Sequence, residues 1–107
     1  MIMENRTEWF VNRYILKKTL YFQSDNGITL MVMNNRRQEI LDIPLVKLEN
    51  ILPPGLFFRV HRSYLVNSNA ISELRYYRTQ LLAIVHGYRI PVSRRRGRDL
   101  LTNINIL

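Results

Sequence analysis

The sequence predicts a mostly β fold with one short amphipathic helix and a short C-terminal helix. Two hairpin signals support the β class. Residues 25–27, Asp-Asn-Gly, separate two apolar-rich runs at 19–24 and 28–33, and Asn-Gly readily adopts the positive φ angles of a tight hairpin loop. His86-Gly87 separates two further runs within residues 81–92, so a two-residue hairpin loop is expected there. The third observation is a short run of apolar residues at helical spacing between these hairpins.

Pro44 suits the first turn of this predicted helix, because the backbone N–H that proline lacks is not needed there. The helix ends at residues 53–55, Pro-Pro-Gly, which cannot continue a helix. The apolar residues at helical spacing are Leu45, Leu48, Ile51 and Leu52.

Further strands are predicted from aromatic and β-branched content, and the chain ends in a helix. Pro91 cannot donate a ladder hydrogen bond, so its strand is expected at a sheet edge. Ser93 is expected to cap a final helix that runs to about Ile104. The further strands are predicted over residues 9–14, 38–43, 57–60 and 70–77.

Length and composition indicate one globular domain over residues 1–107, with 47% hydrophobic residues. The chain has no cysteine, which excludes disulfides and thiolate metal sites and fits a cytoplasmic location. The apolar run at 81–85 is far too short to span a membrane. The charged residues Glu4, Arg6 and Glu8 do not fit a signal peptide.

The net charge of +8 is concentrated in one half of the chain. Residues 1–56 hold seven Lys/Arg and six Asp/Glu, a net +1, whereas residues 57–107 hold nine Arg and two acidic residues, a net +7. Arginine can pair bidentately with phosphate or with a guanine edge. Such asymmetry favours a polyanionic partner, with nucleic acid first and an anionic membrane second, over a surface that is merely soluble.

A compact polar segment, His61-Arg62-Ser63, interrupts an apolar stretch and could be catalytic. His61 and Ser63 lie two residues apart, with no nearby carboxylate in sequence to orient the imidazole and no nucleophile elbow. Two histidines alone give little support for a zinc site, and the sequence has no glycine-rich phosphate-binding loop. The sequence therefore predicts no enzyme, no metal site and no cofactor.

Two other segments could contact nucleic acid. If Ser93 caps the last helix, Arg94, Arg95 and Arg96 occupy its first turn, where cations oppose the helix dipole by roughly 0.3–1 kcal/mol each. That cost favours a functional reason for the run over a solvated surface. Tyr76-Tyr77 could stack on bases, but on a strand the two rings point to opposite faces, so packing across the sheet is the preferred interpretation.

The stretches FFRVHRSYLVNSNAI (57–71) and YRIPVSRR (88–95) resemble the LytTR family of bacterial DNA-binding domains. The first matches an R-x-H-R-S-aromatic-aliphatic-V-N pattern, and the second matches I-P-V-S-R at the right distance downstream. LKKTLYFQSDNG and IPLVKLENIL also resemble the family's first strand and short helix, so the likeness spans roughly residues 9–101.

This resemblance implies an elongated arrangement of small antiparallel sheets that grips duplex DNA through loops. It implies a transcription regulator that binds paired direct repeats, with a second copy on the DNA and a receiver domain that these residues do not include. It also implies roles by position. Arg62 would contact DNA, and Arg94 would read a base in a major groove. Asn26 would probe from the first hairpin loop.

Within the same resemblance, His61 would touch phosphate, whereas Ser63 and Asn67 would hold the turn through side-chain bonds to the backbone. The sequence departs from the family pattern after Arg94, where Arg95, Arg96 and Gly97 stand at positions that are often aromatic. This departure shifts the expected contacts of Arg95 and Arg96 toward phosphate. An RNA-binding or general nucleic-acid module, given the same charge, remains the alternative.

Overall fold

The computed structural model describes residues 12–103 and has an elongated shape, with extents of 43 × 27 × 25 Å. Within that part, no helix is long and apolar enough to cross a membrane. Its elements are α1 (Arg13–Lys17), β1 (Thr19–Asp25), β2 (Ile28–Met33), β3 (Gln38–Leu41), α2 (Leu45–Ile51), β4 (Phe57–His61), β5 (Tyr64–Asn67), a 3-10 turn (Ser68–Ala70), β6 (Ile71–Tyr77), β7 (Gln80–Val85), β8 (Tyr88–Val92) and α3 (Arg94–Asn103).

The strands form two antiparallel sheets, which confirms the predicted fold class. The larger sheet has the order β3-β2-β1-β5-β4, and the smaller has the order β6-β7-β8. Successive residues of β1 face opposite sides of the larger sheet, so each side has its own core. Tyr21 packs with the smaller sheet and Leu100 of α3, whereas Phe22 packs with Leu16 of α1 and Leu48 of α2.

Both predicted hairpins are present, and each has a two-residue loop. Asp25, predicted in the first loop, is the last residue of β1 instead. Asn26 and Gly27 have φ angles of 50° and 84°, and His86 and Gly87 have 48° and 87°. Positive φ at both loop positions matches the right-handed twist of the flanking strands, which is why these dipeptides occur there. Pro91 lies on β8, an edge strand of the smaller sheet, as predicted.

The predicted first strand at 9–14 is wrong where the structure describes it, and residues 9–11 lie outside the described part. Arg13 and Tyr14 belong to α1 instead. The side chain of Asn12 accepts hydrogen bonds from the backbone N–H groups of Tyr14 and Ile15, at 3.0 and 3.3 Å, and so caps the helix. This helix directs the fully buried Leu16 into the core.

Other boundaries differ by a few residues. The third strand ends at Leu41 rather than at residue 43, because the carbonyl of Ile43 accepts from the Thr29 side chain at 2.5 Å instead of from β2 backbone. Pro44 is the residue before α2 rather than part of its first turn, with an extended ψ of 147°.

The last helix begins as predicted. The hydroxyl of Ser93 accepts from the N–H of Arg96 at 3.3 Å, which makes it the cap of α3. Gly97 is buried, and a Cβ added there would lie 3.0 Å from Leu81 Cδ2 and 3.5 Å from Val92 Cγ1. The missing side chain lets α3 lie close to β7 and β8.

Candidate nucleic-acid interface

Two of the predicted contact regions, the loop at Asn26 and the turn at Arg62, lie at the same end of the larger sheet. β1 and β5 run antiparallel with Gln23 opposite Tyr64, and the N–H of Ser24 donates to the carbonyl of Ser63 at 2.8 Å. The end of β1, which leads into the β1–β2 loop, therefore lies beside the start of β5, which follows the β4–β5 turn. Asn26 and Arg62 are both exposed.

The start of α3 is attached to the same end by one backbone hydrogen bond. The N–H of Ser93 donates to the carbonyl of Val60 at 2.9 Å, across the boundary between the two sheets. Arg94 follows directly and is exposed. His61, Ser93 and Arg94 line one open groove of about 630 Å³. Residues that are more than 30 positions apart in sequence therefore share one surface.

Arg59 organises the turn that presents Arg62. Its Nε donates to the carbonyl of His61 at 2.9 Å, and its Nη2 donates to the carbonyl of Arg62. Its Nη1 pairs with Glu49 of α2 at 2.6 Å, and only 13% of the Arg59 side chain is exposed. One guanidinium thus fixes both turn carbonyls and ties the turn to α2, which leaves the exposed Arg62 side chain on a rigid base.

His61 holds the turn from the other side. Its Nδ1 accepts a hydrogen bond from the N–H of Ser63 at 3.1 Å, so the proton of the neutral ring lies on Nε2. Burial lowers the pKa of His61, and the positive charges of Arg62, Arg59 and Arg96 lower it further. Both effects favour the neutral form of the ring in the free domain.

The prediction that the side chains of Ser63 and Asn67 hold this turn is wrong, because other side chains form the hydrogen bonds to its backbone. The holders are the Arg59 guanidinium and the His61 ring, whose partners are backbone groups of the turn. Asn67 is buried at the opposite end of β5, where its amide donates to the carbonyl of Thr19 at 2.9 Å and accepts from the N–H of Asn69. It stabilises the sheet there.

The arginines of α3 separate into different surroundings. Arg94 and Arg98 line the groove described above, one helical turn apart. Arg95 is exposed and does not line that groove. Arg96 is half-buried, and its Nη1 donates to the carbonyl of Arg59 at 3.2 Å. Arg96 therefore also joins α3 to β4, on the side away from Arg94.

Sequence reasoning assigned no contact to Arg59 or Arg98, and for Tyr76 it preferred packing across the sheet to a contact with nucleic acid. The motif that contains Arg62 also contains Arg59, but its partner Glu49 lies ten residues away, so the pairing has no local signal. Tyr76 and Tyr77 do not pack across the sheet as preferred; they are 68% and 62% exposed. Tyr76 lines the groove with Arg94.

Residues 12–103 contain no group of three or more histidines and acidic residues that could hold a metal ion. Among the side chains of residues 12–100, every buried nitrogen and oxygen has a hydrogen-bond partner. The surface offers guanidinium groups, an amide and a neutral imidazole, which are groups that bind phosphates and base edges. Fold and site together define a nucleic-acid-binding module.

Comparison with known proteins identifies the family. The family model described as the LytTr DNA-binding domain matches residues 11–105. The chain therefore belongs to the LytTr DNA-binding domain family, a family of DNA-binding domains rather than of enzymes. The resemblance drawn from the motifs at 57–71 and 88–95 is confirmed.

Related proteins agree with this assignment. The chain is 32% identical over 84 residues to the transcriptional regulatory protein LytR of Staphylococcus aureus strain MW2, covering 77% of this chain and 34% of that protein. It is 36% identical over 78 residues to the sensory transduction protein LytT of Bacillus cereus, covering 71% and 31%. The chain thus spans about a third of the length of these relatives.

A solved structure shares the fold. It is the LytTr DNA-binding domain of a putative methyl-accepting/DNA response regulator from Bacillus cereus, with a TM-score of 0.71 and 27% identity. The likeness covers 80% of this chain and 83% of that one.

Replacing Arg59 should destabilise the domain more than replacing an arginine in an exposed ion pair. Arg59→Met removes the donors of two turn carbonyls and leaves Glu49 unpaired, so we expect the free energy of unfolding to fall by about 1–3 kcal/mol. Arg75→Met is the matched control, since Arg75 also pairs with a glutamate but is 56% exposed, and it should cost less than about 1 kcal/mol. Urea unfolding measures both; equal losses would contradict the role of Arg59.

His61 should make the stability depend on pH. Because its pKa is lower in the folded chain than its ordinary value of 6.5, the unfolded chain takes up a proton first as the pH falls. The free energy of unfolding should therefore decrease from about pH 7.5 to about pH 5. His61→Gln should flatten this decrease, whereas His86→Asn, in an exposed loop, should retain it. A wild-type slope unchanged in His61→Gln would refute the assignment.

Proposed function

We propose that this chain is a sequence-specific duplex-DNA-binding module of a bacterial transcription regulator. It would recognise its site through loops that enter the grooves and through arginines that pair with phosphates. The observation that carries the proposal is the hydrogen bond between Ser93 and Val60, which brings Arg94 beside the turn of Arg62. The net charge of +7 over residues 57–107 provides a positive electrostatic potential that attracts the negatively charged DNA.

Each predicted contact residue has a role in this proposal. Arg94 reads a guanine edge in a major groove, because an exposed guanidinium at the start of a fixed helix can form a bidentate pair. Asn26 probes the DNA from the β1–β2 loop. The phosphate contacts are assigned to Arg62, Arg95, Arg96 and His61.

These phosphate contacts differ in kind. Arg62 and Arg95 are exposed and bring a full positive charge. Arg96 holds the carbonyl of Arg59 with one nitrogen, and its other N–H groups carry the proposed contact. His61 contributes as a neutral donor, so it adds a hydrogen bond without neutralising a phosphate charge.

The likeness to the family supports an assembly of two copies on paired direct repeats, one copy on each. The two relatives, a transcriptional regulatory protein and a sensory transduction protein, support a regulator in which a receiver domain controls this module. Because bacterial promoters lie in the cytoplasm, the proposal places the protein there.

Selection of bound sequences from a random duplex pool tests this function. Two spaced copies of one short sequence are expected, bound by two protein molecules. Affinity for the selected duplex should fall steeply with salt, with a log–log slope of about −0.9 per neutralised phosphate. Recovery of no common sequence, a slope near zero, or equal binding to an A-form RNA duplex would contradict the proposal.

Substitutions on the selected duplex separate the base reader from the phosphate contacts. Arg94→Ala should cost about 1–3 kcal/mol of binding free energy on the selected duplex and relax one base position. Arg62→Ala and Arg95→Ala should weaken selected and scrambled duplexes alike and make the salt slope shallower by about 0.9.

The control is Arg37→Ala, an exposed arginine in the β2–β3 turn at the opposite end of the larger sheet, which should bind as the wild type does. Melting temperatures should not fall in Arg62→Ala, Arg94→Ala or Arg95→Ala, because exposed arginines contribute little to folding. If Arg62→Ala relaxes a base preference while Arg94→Ala weakens both duplexes equally, the two roles are reversed.

A further inference from the structure

An exposed tyrosine faces the groove that contains the proposed base reader. The groove of about 630 Å³ lies between the tip of the β6–β7 hairpin and the first two turns of α3. Tyr76 lines it from the hairpin, and Arg94 and Arg98 line it from the helix. Leu81 and Val92, paired across β7 and β8 and nearly buried, form its apolar base.

The surroundings of Tyr76 do not account for it as a core residue. Its side chain is 68% exposed, although its cross-strand partner Leu81 is only 8% exposed. Its hydroxyl group forms no hydrogen bond with residues 12–100, the part of the chain whose side chains the structure describes. An exposed ring with a polar tip beside two arginines matches a ligand that has an apolar body and an anionic group.

We propose that this groove binds one sugar-phosphate strand of the duplex, with Tyr76 as a further DNA-contacting residue. The ring packs on a deoxyribose and the hydroxyl donates to the adjacent phosphate, which Arg98 contacts from the helix. The inference rests on the proposed function, since Arg94 in the same groove is the proposed base reader. Charge complementarity selects the occupant: two guanidinium groups one helical turn apart face a chain of phosphates.

Tyr76 would therefore set the register of the helix on the DNA rather than read a base. Contacts to sugar and phosphate fix orientation and carry no sequence information directly. Its loss should weaken binding on every sequence by a similar factor. Because tyrosine is uncharged, its loss should release no fewer counterions, and the salt slope should stay constant.

The neighbouring Tyr77 provides a matched control. It is 62% exposed, lies on the opposite face of β6, and has the Arg78 guanidinium 5.9 Å from its ring centre. It is a second exposed tyrosine next to an arginine but does not line the groove. Any general effect of removing an exposed tyrosine from this hairpin should occur equally at both positions.

The test measures Kd against salt for Tyr76→Ala, Tyr76→Phe, Tyr77→Ala and Arg98→Ala, on the selected and the scrambled duplex. Tyr76→Ala should bind both about tenfold more weakly, with an unchanged salt slope, and Tyr76→Phe should lie between it and the wild type. Tyr77→Ala should change Kd by less than about twofold. Arg98→Ala should make the slope shallower by about 0.9.

Equal losses in Tyr76→Ala and Tyr77→Ala, or no loss in Tyr76→Ala, would overturn the inference, provided that circular dichroism shows both variants folded. If the wild type binds the selected duplex with a steep salt slope and Tyr76→Ala binds it with the same Kd, only this inference fails. If the wild type has no preference for the selected duplex and Arg94→Ala changes nothing, the proposed function fails, and this inference fails with it.

Discussion

The hydrogen bond from the N–H of Ser93 to the carbonyl of Val60 is the contact on which the arrangement of the interface depends. It joins the larger sheet to the start of α3, so the turn of Arg62 and the side chain of Arg94 belong to one surface. By itself such a bond contributes only about 0.5–1.5 kcal/mol. Two further contacts fix the position of α3. Arg96 donates to the carbonyl of Arg59, the residue before Val60, and Gly97 lets α3 approach β7.

The interface carries electrostatic costs that the rest of the fold offsets. Three arginines in the first turn of α3 oppose its dipole, by roughly 0.3–1 kcal/mol each at an exposed site. The turn at Arg62 adds a further cation nearby. A fully formed core on each face of the larger sheet and the Arg59–Glu49 pair provide the stability that allows these charges to stay close together. This distribution is expected where a polyanion, rather than a protein carboxylate, is the intended partner.

Local signals allowed much of this structure to be predicted from the sequence. The loops at Asn26 and His86 require positive φ, and the capping role of Ser93 depends on an adjacent backbone N–H, so each is determined by neighbouring residues. The predicted strand at 9–14 rests on the aromatic and β-branched residues of that range, and at Arg13 and Tyr14 the cap of Asn12 outweighs their strand preference.

The parts that could not be predicted depend on tertiary contacts. Nothing near Arg59 in sequence indicates that Glu49 pairs with it, and nothing near Tyr76 indicates that α3 lies across the hairpin. The family motifs predicted Arg62 and Arg94 as contact residues, but motifs do not show that the side chain of Arg96 points away from that of Arg94. These assignments needed the packing of α3 against β4 and β7.

The most direct test of the account is an NMR titration of the ¹⁵N-labelled domain with the selected duplex. The account predicts that the largest amide shifts cluster at residues 25–27, 61–63 and 93–98, on the surface joined by the Ser93–Val60 bond. Amides of the two turns at 34–37 and 86–87 should change little. Shifts concentrated in those turns, or spread evenly over both ends of the molecule, would contradict it.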